Sequence, residues 1–300
     1  MPCEECRPLA THLFRGVDDL VNAVRLASEE VERGVLSRVA ERAPSAAERE
    51  AVESSLASGA LPGRIRYRFR CEVCGDRFAL AANAETGEGG WTREGDDVPS
   101  PIDLTNPKDA AEWESTAMQR RPARAAFFER FAAEIAAKPG PVKILELGSG
   151  PGFLAAHLLE RLPQVTMILL DNSHAMHALA RERLGELASR ARFVAANFKE
   201  PDWPDRLGSF DFVVTLQAVH ELRHKRHAAG LHRQARSVLA PGGTYLVADH
   251  YLGAGGMAND SLYATVAEQQ SALREGGFAE VTELLRDGGL VLHRASGSAP

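Results

Sequence analysis

The spacing of apolar residues changes within the first hundred residues. Apolar residues recur at helical intervals over residues 17–42, and a second, short helix is predicted over residues 45–59. Over residues 64–70 the period becomes two, with arginines alternating with apolar side chains, as expected of a strand with one charged face. A short second strand is predicted around residues 78–80. Residues 83–104 are rich in Gly, Asp, Glu and Pro, which predicts a loop and linker.

The rest of the chain alternates between helix and strand patterns. Two helices come first, one that begins at Asn106 and one around residues 124–137. Five strands are then predicted at 142–147, 166–171, 192–196, 212–216 and 244–248, with helices near 152–162, 174–188, 221–239 and 259–275. Such alternation predicts an α/β fold with a Rossmann-like, doubly wound and mostly parallel sheet. Residues 281–285 and 290–293, joined by Arg-Asp-Gly-Gly, predict a final antiparallel hairpin.

Composition and charge narrow the class of protein. The chain has 300 residues, enough for two domains, and we place the boundary between residues 1–104 and 105–300. The net charge of −6 is carried entirely by residues 1–104, and residues 105–300 are balanced, which argues against a nucleic-acid partner. Apolar runs are far shorter than the roughly 20 residues that a membrane helix needs. The first residues are acidic and lack a signal sequence, so we expect a cytoplasmic protein.

The most specific motif is a glycine-rich turn after the first strand of the alternating region. Gly148, Gly150 and Gly152 permit positive φ and remove the Cβ atoms that would block a ligand lying on the turn. The spacing differs from the dinucleotide pattern G-x-G-x-x-G, and Glu146 would repel a phosphate but could pair with an ammonium group. Asp171 ends the next strand, where it could accept both hydroxyls of a ribose. Together these features describe S-adenosylmethionine.

On these residues the segment from about 140 to 295 resembles the class I S-adenosylmethionine-dependent methyltransferases. The resemblance implies a seven-stranded sheet whose last strand is antiparallel, S-adenosylmethionine as cofactor, and in-line transfer of its methyl group to a nucleophile. Adenine contacts are implied at Asn197 and Phe198, where the family often has Asp at the first position; Gln217–His220 and residues 241–243 match further segments. The expected cofactor-binding residues are Glu146, Gly148, Ser149, Gly150, Gly152, Phe153, Asp171, Asn172, Asn197, Phe198 and Gln217.

Candidate catalytic residues follow the fourth and fifth predicted strands, because reacting groups in such sheets gather at the carboxyl ends of the strands. His220 is the first candidate for a general base, and it could instead only bind the cofactor or a loop. His250 and Tyr251 are further candidates, with a role in shaping the acceptor pocket as the alternative. Residues 220–224 also read H-E-x-x-H, the zinc-protease pattern, but here the motif directly follows a buried strand of the cofactor fold.

All four cysteines lie in the first quarter of the chain, as Cys3-x-x-Cys6 and Cys71-x-x-Cys74. Cysteine pairs of this spacing form the corners of tetrahedral zinc sites, so we expect one structural zinc in a helical and zinc-knuckle N-terminal domain. Redox-active dithiols and unpaired thiols are the alternatives. The arginines of 64–70 are interpreted as a solvated face or as a surface that recognises phosphate or acidic ligands.

The sequence therefore predicts a methyltransferase that acts on a small molecule. A ribosomal-RNA guanine methyltransferase with an N-terminal zinc module is the alternative, although its cysteine spacing is tighter and the net charge of −6 disfavours RNA. A non-catalytic binding protein with the cofactor fold and a nicotinamide-dependent reductase are further alternatives. Trp113, Met118 and Phe127 are expected to line the acceptor pocket or to belong to the core.

Overall fold

The computed structural model describes residues 3–6, 12–39, 63–93, 97–205 and 207–298. The predicted helix over 45–59 lies outside these residues. The chain forms two compact units: an N-terminal unit, Met1–Pro101 with Ala258–Tyr263, and a C-terminal unit, Ile102–Met257 with Ala264–Pro300. No helix within the described ranges is long and apolar enough to span a membrane.

The N-terminal unit is built on a five-stranded antiparallel sheet in the order β1-β5-β4-β3-β2. The strands are β1 His12–Leu13, β2 Leu36–Arg38, β3 Arg64–Cys71, β4 Arg77–Asn83 and β5 Gly89–Arg93. Helix α1, Val17–Glu32, has an apolar face buried in a core with Phe69, Phe78 and Trp91, whose indole stacks on Phe78 with ring centroids 5.8 Å apart. Within its described residues, the N-terminal unit therefore combines one helix with a five-stranded sheet.

Two sequence predictions in this unit were wrong. The helix expected over 17–42 ends at Glu32, because Gly34 adopts φ 74° and residues 36–38 pair with β3 instead. The loop expected over 83–104 contains β5, where a Cβ on Gly89 would lie 2.1 Å from the Ala81 carbonyl oxygen. Only glycine permits the close approach of β5 to β4 at that point, so a composition typical of a loop was compatible with a strand.

The arginine-bearing face of β3 is partly neutralised from within the same unit. Arg66 and Arg68 both donate to Oδ2 of Asp260, with Nη2 of Arg68 at 2.9 Å. Asp260 belongs to the short segment Ala258–Tyr263 that the N-terminal unit includes. Arg66 and Arg68 are therefore ion-paired with Asp260. This pairing differs from both interpretations of the sequence, which were a solvated face and a surface that recognises phosphate or acidic ligands.

The C-terminal unit contains a seven-stranded sheet in the order β11-β12-β10-β9-β6-β7-β8. The strands are β6 Val142–Leu147, β7 Val165–Asp171, β8 Ala191–Ala195, β9 Phe210–Leu216, β10 Leu239–His250, β11 Phe278–Asp287 and β12 Leu290–Ser298. Strands β6 to β10 are mutually parallel, and β12 runs antiparallel to both β10 and β11. The predicted α/β fold and its antiparallel last strand are confirmed.

The described part of this unit contains six helices: α2 Pro107–Arg120, α3 Arg124–Ala136, α4 Phe153–Arg161, α5 His174–Leu184, α6 Ala228–Ser237 and α7 Val266–Glu275. Neighbouring strand residues alternate between two cores. Ile144 and Leu246 pack with α3 and α4, whereas Leu145 and Tyr245 pack with α6 and α7. Such alternation is what a sheet covered on both faces requires.

Two predicted helices of this unit are shorter than expected. The segment 221–239 is not one helix: it begins as 3-10 turns at Val219–Leu222 and Lys225–His227, separated at Arg223 with φ 66°, and α6 starts only at Ala228. Helix α7 starts at Val266 rather than near 259, because Thr265 and Glu268 form a reciprocal capping box.

Candidate active site

The glycine-rich turn connects β6 to α4 with three residues at positive φ: Gly148 at 66°, Gly150 at 52° and Gly152 at 76°. A Cβ on Gly148 would lie 2.4 Å from the Cβ of Ala218, so a side chain cannot be placed there without movement. The backbone N–H of Gly148 donates to the Leu170 carbonyl oxygen at 2.8 Å, which fixes the turn against the end of β7. The turn thus presents bare backbone, as a closely bound ligand needs.

Glu146 lies at the end of β6 and is 3% exposed. Its Oε2 atom is buried and accepts no hydrogen bond from any described residue. Burial, and then the nearby charge of Asp171, raise the pKa of Glu146 well above its ordinary value. A buried carboxyl group without a partner is costly unless a ligand supplies one, so this side chain fits a cation such as an α-ammonium group.

Asp171 ends β7 and faces the same turn. Its Oδ2 accepts the backbone N–H of Gly150 at 2.8 Å, and its Oδ1 accepts that of Ser173 at 2.9 Å. Burial raises the pKa of Asp171 even though these two hydrogen bonds act in the opposite direction. Each oxygen retains a free lone pair, so the carboxylate is held in place and can still accept ribose hydroxyls.

The other residues expected to contact the cofactor differ in their position relative to the turn. Phe198 lies against the turn, because its Cε1 atom would be 3.3 Å from a Cβ on Gly148. Ser149 is buried, and its hydroxyl has no hydrogen-bond partner among the described residues. Oδ1 of Asn197 accepts the backbone N–H of Lys199 at 3.0 Å, and Asn172 is exposed next to Asp171. The structure thus brings Glu146, Ser149, Asp171 and Phe198 together around one bare turn. These residues fit the amino-acid and nucleoside parts of S-adenosylmethionine.

A group of hydrogen-bonded side chains lies at the carboxyl ends of β9 and β10. Nδ1 of His220 is 2.7 Å from Oδ1 of Asp249, and the backbone N–H of His220 donates to Oδ2 of the same carboxylate at 2.8 Å. Nε2 of His250 is 2.8 Å from Nε2 of Gln217, and Nδ1 of His250 is 3.3 Å from the Gly289 carbonyl oxygen. Sequence reasoning did not select Asp249 as a site residue, although it follows a buried strand.

The two histidines differ in charge. Burial opposes protonation of His220, but the charge and hydrogen bond of Asp249 outweigh it and raise the pKa of His220 to about 10. Burial, and then the charge of His220, lower the pKa of His250 to about 4. At neutral pH His220 is therefore an imidazolium. His250 is neutral, with Nδ1–H donating to Gly289 and Nε2 accepting the amide N–H of Gln217.

Gln217 adopts φ 56°, an uncommon conformation for a residue other than glycine. Its Oε1 accepts a hydrogen bond from Nε of Arg124, which is 6% exposed at the start of α3. Sequence reasoning missed Arg124. A signal was present, because Arg124 stands in the apolar stripe that Phe127, Phe128 and Phe131 continue along α3.

The remaining candidates have different surroundings. Tyr251 directs its hydroxyl to the Ala254 carbonyl oxygen at 3.5 Å, and the guanidinium of Arg286 lies 5.6 Å from its ring centroid. Phe127 is fully buried in the core and Met118 packs against the same core, whereas Trp113 is half-buried. The core interpretation therefore holds for Phe127 and Met118.

The H-E-x-x-H pattern of residues 220–224 does not form a zinc-protease helix. His220 and Glu221 lie in one 3-10 turn, Arg223 breaks it with φ 66°, and His224 caps the next turn. Within the described part of the chain, the four cysteines form the one cluster of metal-ligating residues.

The four-cysteine cluster, Cys3, Cys6, Cys71 and Cys74, lies in the N-terminal unit. All four Sγ atoms are within 4.8 Å of one another, and three of the distances are 3.5 Å, 3.7 Å and 3.5 Å, far too long for disulfides. Gly75 follows with φ 80°, and its N–H donates to the Cys71 carbonyl oxygen at 2.9 Å, closing the turn that brings the second cysteine pair together. Four thiolates placed in this way fit a tetrahedral metal ion.

Comparison with known proteins gives consistent results. Residues 144–243 match the family described as "Methyltransferase domain". The chain is 30% identical over 158 residues to the malonyl-[acyl-carrier protein] O-methyltransferase of Geobacter sulfurreducens, covering 47% of this chain and 57% of the relative. It is 32% identical over 120 residues to the demethylmenaquinone methyltransferase of Thermus thermophilus, covering 40% of this chain and 52% of the relative. The chain thus spans little more than half the length of these curated relatives.

A trans-aconitate 2-methyltransferase of Acidovorax sp. is 38% identical over 109 residues, covering 36% of this chain and 38% of the relative. Among solved structures, one described as PigF with SAH superposes with a TM-score of 0.51 at 16% identity, covering 65% of this chain and 61% of that one. At that identity the likeness concerns the fold alone. These matches support the predicted methyltransferase class: residues 144–243 match a methyltransferase domain, and each of these curated relatives is named as a methyltransferase.

Proposed function

We propose that this protein transfers the methyl group of S-adenosylmethionine to a small-molecule nucleophile. The observation that carries the proposal is Glu146, a buried carboxyl group with an unpartnered oxygen beside a bare glycine turn. The matched relatives are named for acyl-carrier-protein-bound malonyl, trans-aconitate and demethylmenaquinone acceptors, which differ widely in structure. The element common to these reactions is the methyl donor.

When bound, S-adenosylmethionine supplies a methyl group on a good leaving group, so alignment and exclusion of water can provide most of the acceleration. We assign Glu146 to the ammonium group, Asp171 to the ribose and Asn197 with Phe198 to the adenine. The glycine turn and Gln217 complete the cofactor site. Tyr251 is assigned to the wall of the acceptor pocket.

The protonation states of the two histidines divide their roles. His250 is neutral at pH 7 because burial and the charge of His220 lower its pKa to about 4. So low a pKa makes it a weak base, and its Nε2 already accepts the Gln217 amide N–H, so we assign His250, like Tyr251, to the wall of the acceptor pocket. His220, with its pKa raised to about 10, is protonated and cannot serve as the base in this arrangement. We therefore assign His220 to positioning: it holds Asp249, which accepts the backbone N–H of His250 at 2.6 Å.

The direct test is formation of S-adenosylhomocysteine by the purified chain with a panel of carboxylic acids, phenols, amines and demethylated quinones. We expect turnover with at least one class, and its loss in Asp171→Asn, with Asp202→Asn as a control in an exposed loop. Binding of S-adenosylhomocysteine without turnover of any acceptor in the panel would favour the alternative that the chain is a non-catalytic binding protein. Transfer of labelled methyl into ribosomal RNA alone would favour the RNA methyltransferase.

We also propose that the four-cysteine cluster binds one structural zinc ion in the N-terminal domain, which we assign to residues 1–104, with the methyltransferase domain over 105–300. A tetrahedron with Zn–S bonds of about 2.3 Å has S–S edges of about 3.8 Å, close to the recorded separations of 3.5–3.7 Å. Four protein ligands would leave no open position, so the ion would stabilise the fold without taking part in chemistry.

Metal analysis of the purified chain tests this second proposal. We expect one equivalent of zinc, and its loss together with a lower unfolding temperature in Cys71→Ser. Glu72→Gln is the control, since it changes a neighbouring exposed residue. A chain that is fully folded with no bound metal and four titratable thiols would contradict the proposal.

A further inference from the structure

A six-residue segment that follows β10 belongs to the N-terminal unit, although the chain on both sides of it belongs to the C-terminal unit. The segment is Ala258–Tyr263, and the chain leaves the C-terminal unit after Met257 and returns to it at Ala264. Residues 260–262 are only 6–8% exposed. The segment is therefore buried, unlike an ordinary surface loop.

Asp260 is the charged residue of this segment. Its Oδ2 accepts hydrogen bonds from Nη2 of Arg66 and from Nη2 of Arg68, the second at 2.9 Å. Both arginines lie on β3, two residues apart, so they share one face of the strand. The Asp260 side chain is 8% exposed. A buried carboxylate is stable only when it is paired, so these contacts fix the segment within the N-terminal unit.

Hydrogen bonds within the segment make it a closed turn. Oδ1 of Asn259 accepts the backbone N–H of Ser261 at 3.0 Å and that of Leu262 at 3.2 Å. The Asn259 carbonyl oxygen accepts the N–H of Tyr263 at 2.9 Å. A turn closed by an asparagine side chain has few alternative conformations. The position of Asp260 therefore determines the positions of both ends of the segment.

The residues that flank the segment are bound to the first residues after β10. The N–H of Met257 donates to the Tyr251 carbonyl oxygen at 2.8 Å, and the N–H of Leu252 donates to the Ala264 carbonyl oxygen at 2.9 Å. One peptide bond separates each flanking residue from the segment. A displacement of the segment must therefore be transmitted to these two hydrogen bonds of the post-β10 stretch, residues 250–264.

His250 is connected to the same stretch. Nε2 of Gln269, in α7, donates to the His250 carbonyl oxygen at 2.8 Å and to the Ala264 carbonyl oxygen at 3.3 Å. The post-β10 stretch thus contains both residues that we assign to the wall of the acceptor pocket, His250 and Tyr251. The residues assigned to the cofactor lie between positions 146 and 217, so a displacement of the stretch should affect the acceptor.

We propose that Asp260 is a positioning residue: its pairing with Arg66 and Arg68 fixes the post-β10 stretch and thereby the shape of the acceptor pocket. The role of the pocket rests on the proposed function, whereas the anchoring of the stretch does not. The N-terminal unit then contributes to acceptor binding through the chain itself, because the segment that it holds begins and ends beside the pocket residues.

Fluorine NMR of protein labelled with 3-fluorotyrosine tests the anchoring without an acceptor. A sample of Tyr251→Phe assigns the resonance of Tyr251 among the four tyrosines of the chain. Spectra are compared for the native chain, Asp260→Asn and Arg68→Gln. Asp18→Asn, at an exposed position of α1 in the same unit, is the matched control. Unfolding temperatures establish that each variant is folded.

Hydrogen exchange at the amides of Leu252 and Met257 gives a second readout, because these amides make the two hydrogen bonds that flank the segment. In Asp260→Asn we expect both amides to exchange about tenfold faster or more, since a charge-assisted pair no longer opposes local opening. The Tyr251 resonance should shift or broaden. Asp18→Asn should match the native chain in both measurements.

Arg68→Gln provides a milder perturbation for the case in which Asp260→Asn does not fold. Arg66 still pairs with Asp260 in this variant, so the effects should be smaller. Added to Asp260→Asn, the same change should have no further effect, because the pair is already lost. With any acceptor of the panel that is methylated, Asp260→Asn should raise KM for that acceptor and leave the dissociation constant of S-adenosylhomocysteine unchanged.

The inference is overturned if the folded variants keep the native Tyr251 resonance and the native exchange rates at Leu252 and Met257. It is also overturned if the post-β10 stretch is loosened but a methylated acceptor keeps its KM, because the stretch would then not shape the pocket. A folded native chain that methylates no acceptor refutes the proposed function, and the acceptor part of this inference with it. The fluorine and exchange measurements still decide whether Asp260 fixes the stretch.

Discussion

Replacement of Glu146 by glutamine removes the ionisable carboxyl group from the centre of the proposed cofactor site while it preserves the size of the side chain. Oε2 of Glu146 is buried and accepts no hydrogen bond from any described residue, so the substitution disrupts no recorded contact within the protein. The effect on ligand binding should therefore appear without a general loss of structure. Glu160→Gln, at an exposed position of α4, is the matched control.

The size of the effect follows from the interaction that is lost. A hydrogen bond to a charged group contributes about 1.5–3 kcal/mol, and 1.4 kcal/mol corresponds to a tenfold change in affinity. We therefore expect Glu146→Gln to weaken the binding of S-adenosylhomocysteine by about 10- to 100-fold. Binding of 5′-methylthioadenosine, which lacks the ammonium group, should be nearly unchanged.

The pKa of Glu146 adds a second, independent signature. Because that pKa is raised well above 4.5 in the folded protein, the unfolded chain loses this proton at a lower pH than the folded chain does. The free energy of unfolding must then fall as pH rises above 4.5, until the folded carboxyl also ionises. Glu146→Gln has no carboxyl group to ionise at this position, so its free energy of unfolding does not fall in this way. Without ligand, the difference in stability between Glu146→Gln and the native chain should therefore shift in favour of Glu146→Gln as pH rises.

Isothermal titration calorimetry in two buffers of different ionisation enthalpy measures the affinity and the proton release, and urea denaturation over a pH series measures the stability difference. If an ammonium group binds to Glu146, the carboxyl ionises and a proton is released to the buffer, and this release disappears in Glu146→Gln. Equal affinities for S-adenosylhomocysteine in the native chain and in Glu146→Gln, with identical proton release, would refute the assignment of Glu146 to the ammonium group.

Three further results are expected. Gly148→Ala should lower the free energy of unfolding, measured by urea denaturation, by several kcal/mol, because the new Cβ would lie 2.4 Å from the Cβ of Ala218. Gly150→Ala has open space around it, so it should cost only the roughly 1–2 kcal/mol of a left-handed backbone conformation. Equal costs for the two variants would contradict the packing argument. Burial lowers the pKa of His232 to about 3 and the pKa of His293 to about 4. The folded chain should therefore lose stability as pH falls from 6.5 towards 4. His293→Asn should make the unfolding temperature less dependent on pH over this range. If the four-cysteine cluster binds the proposed zinc ion, removal of that ion by a chelator should lower the unfolding temperature. An unfolding temperature that is unchanged by complete removal of the metal would contradict a structural role.

Patterns that depend on neighbouring residues in the chain were predictable from the sequence. The alternation of strands and helices gave the parallel sheet, and the segment from Glu146 to Gly152 gave the turn, because conformation there is dictated by glycine itself. The cysteine spacing correctly indicated that four thiols meet, since each pair is held by a local turn.

Features that depend on tertiary contacts could not be read in this way. Strand β5 has a loop-like composition, and it exists because Gly89 allows close approach to β4. Arg124 is distant in sequence from Gln217, so nothing local indicates that the two side chains meet. The different charges of the His220 and His250 rings also depend on tertiary contacts, because Asp249 raises the pKa of His220, whereas burial and the charge of His220 lower the pKa of His250.

The central claim is that the glycine turn after β6, with Glu146 and Asp171, binds the methyl donor. Calorimetric titration of the folded native chain with S-adenosylhomocysteine and, separately, with a nicotinamide dinucleotide tests it most directly. We predict saturable binding of S-adenosylhomocysteine with one site per chain and markedly weaker binding of the dinucleotide. Absence of heat with S-adenosylhomocysteine, or tighter binding of the dinucleotide, would contradict the account.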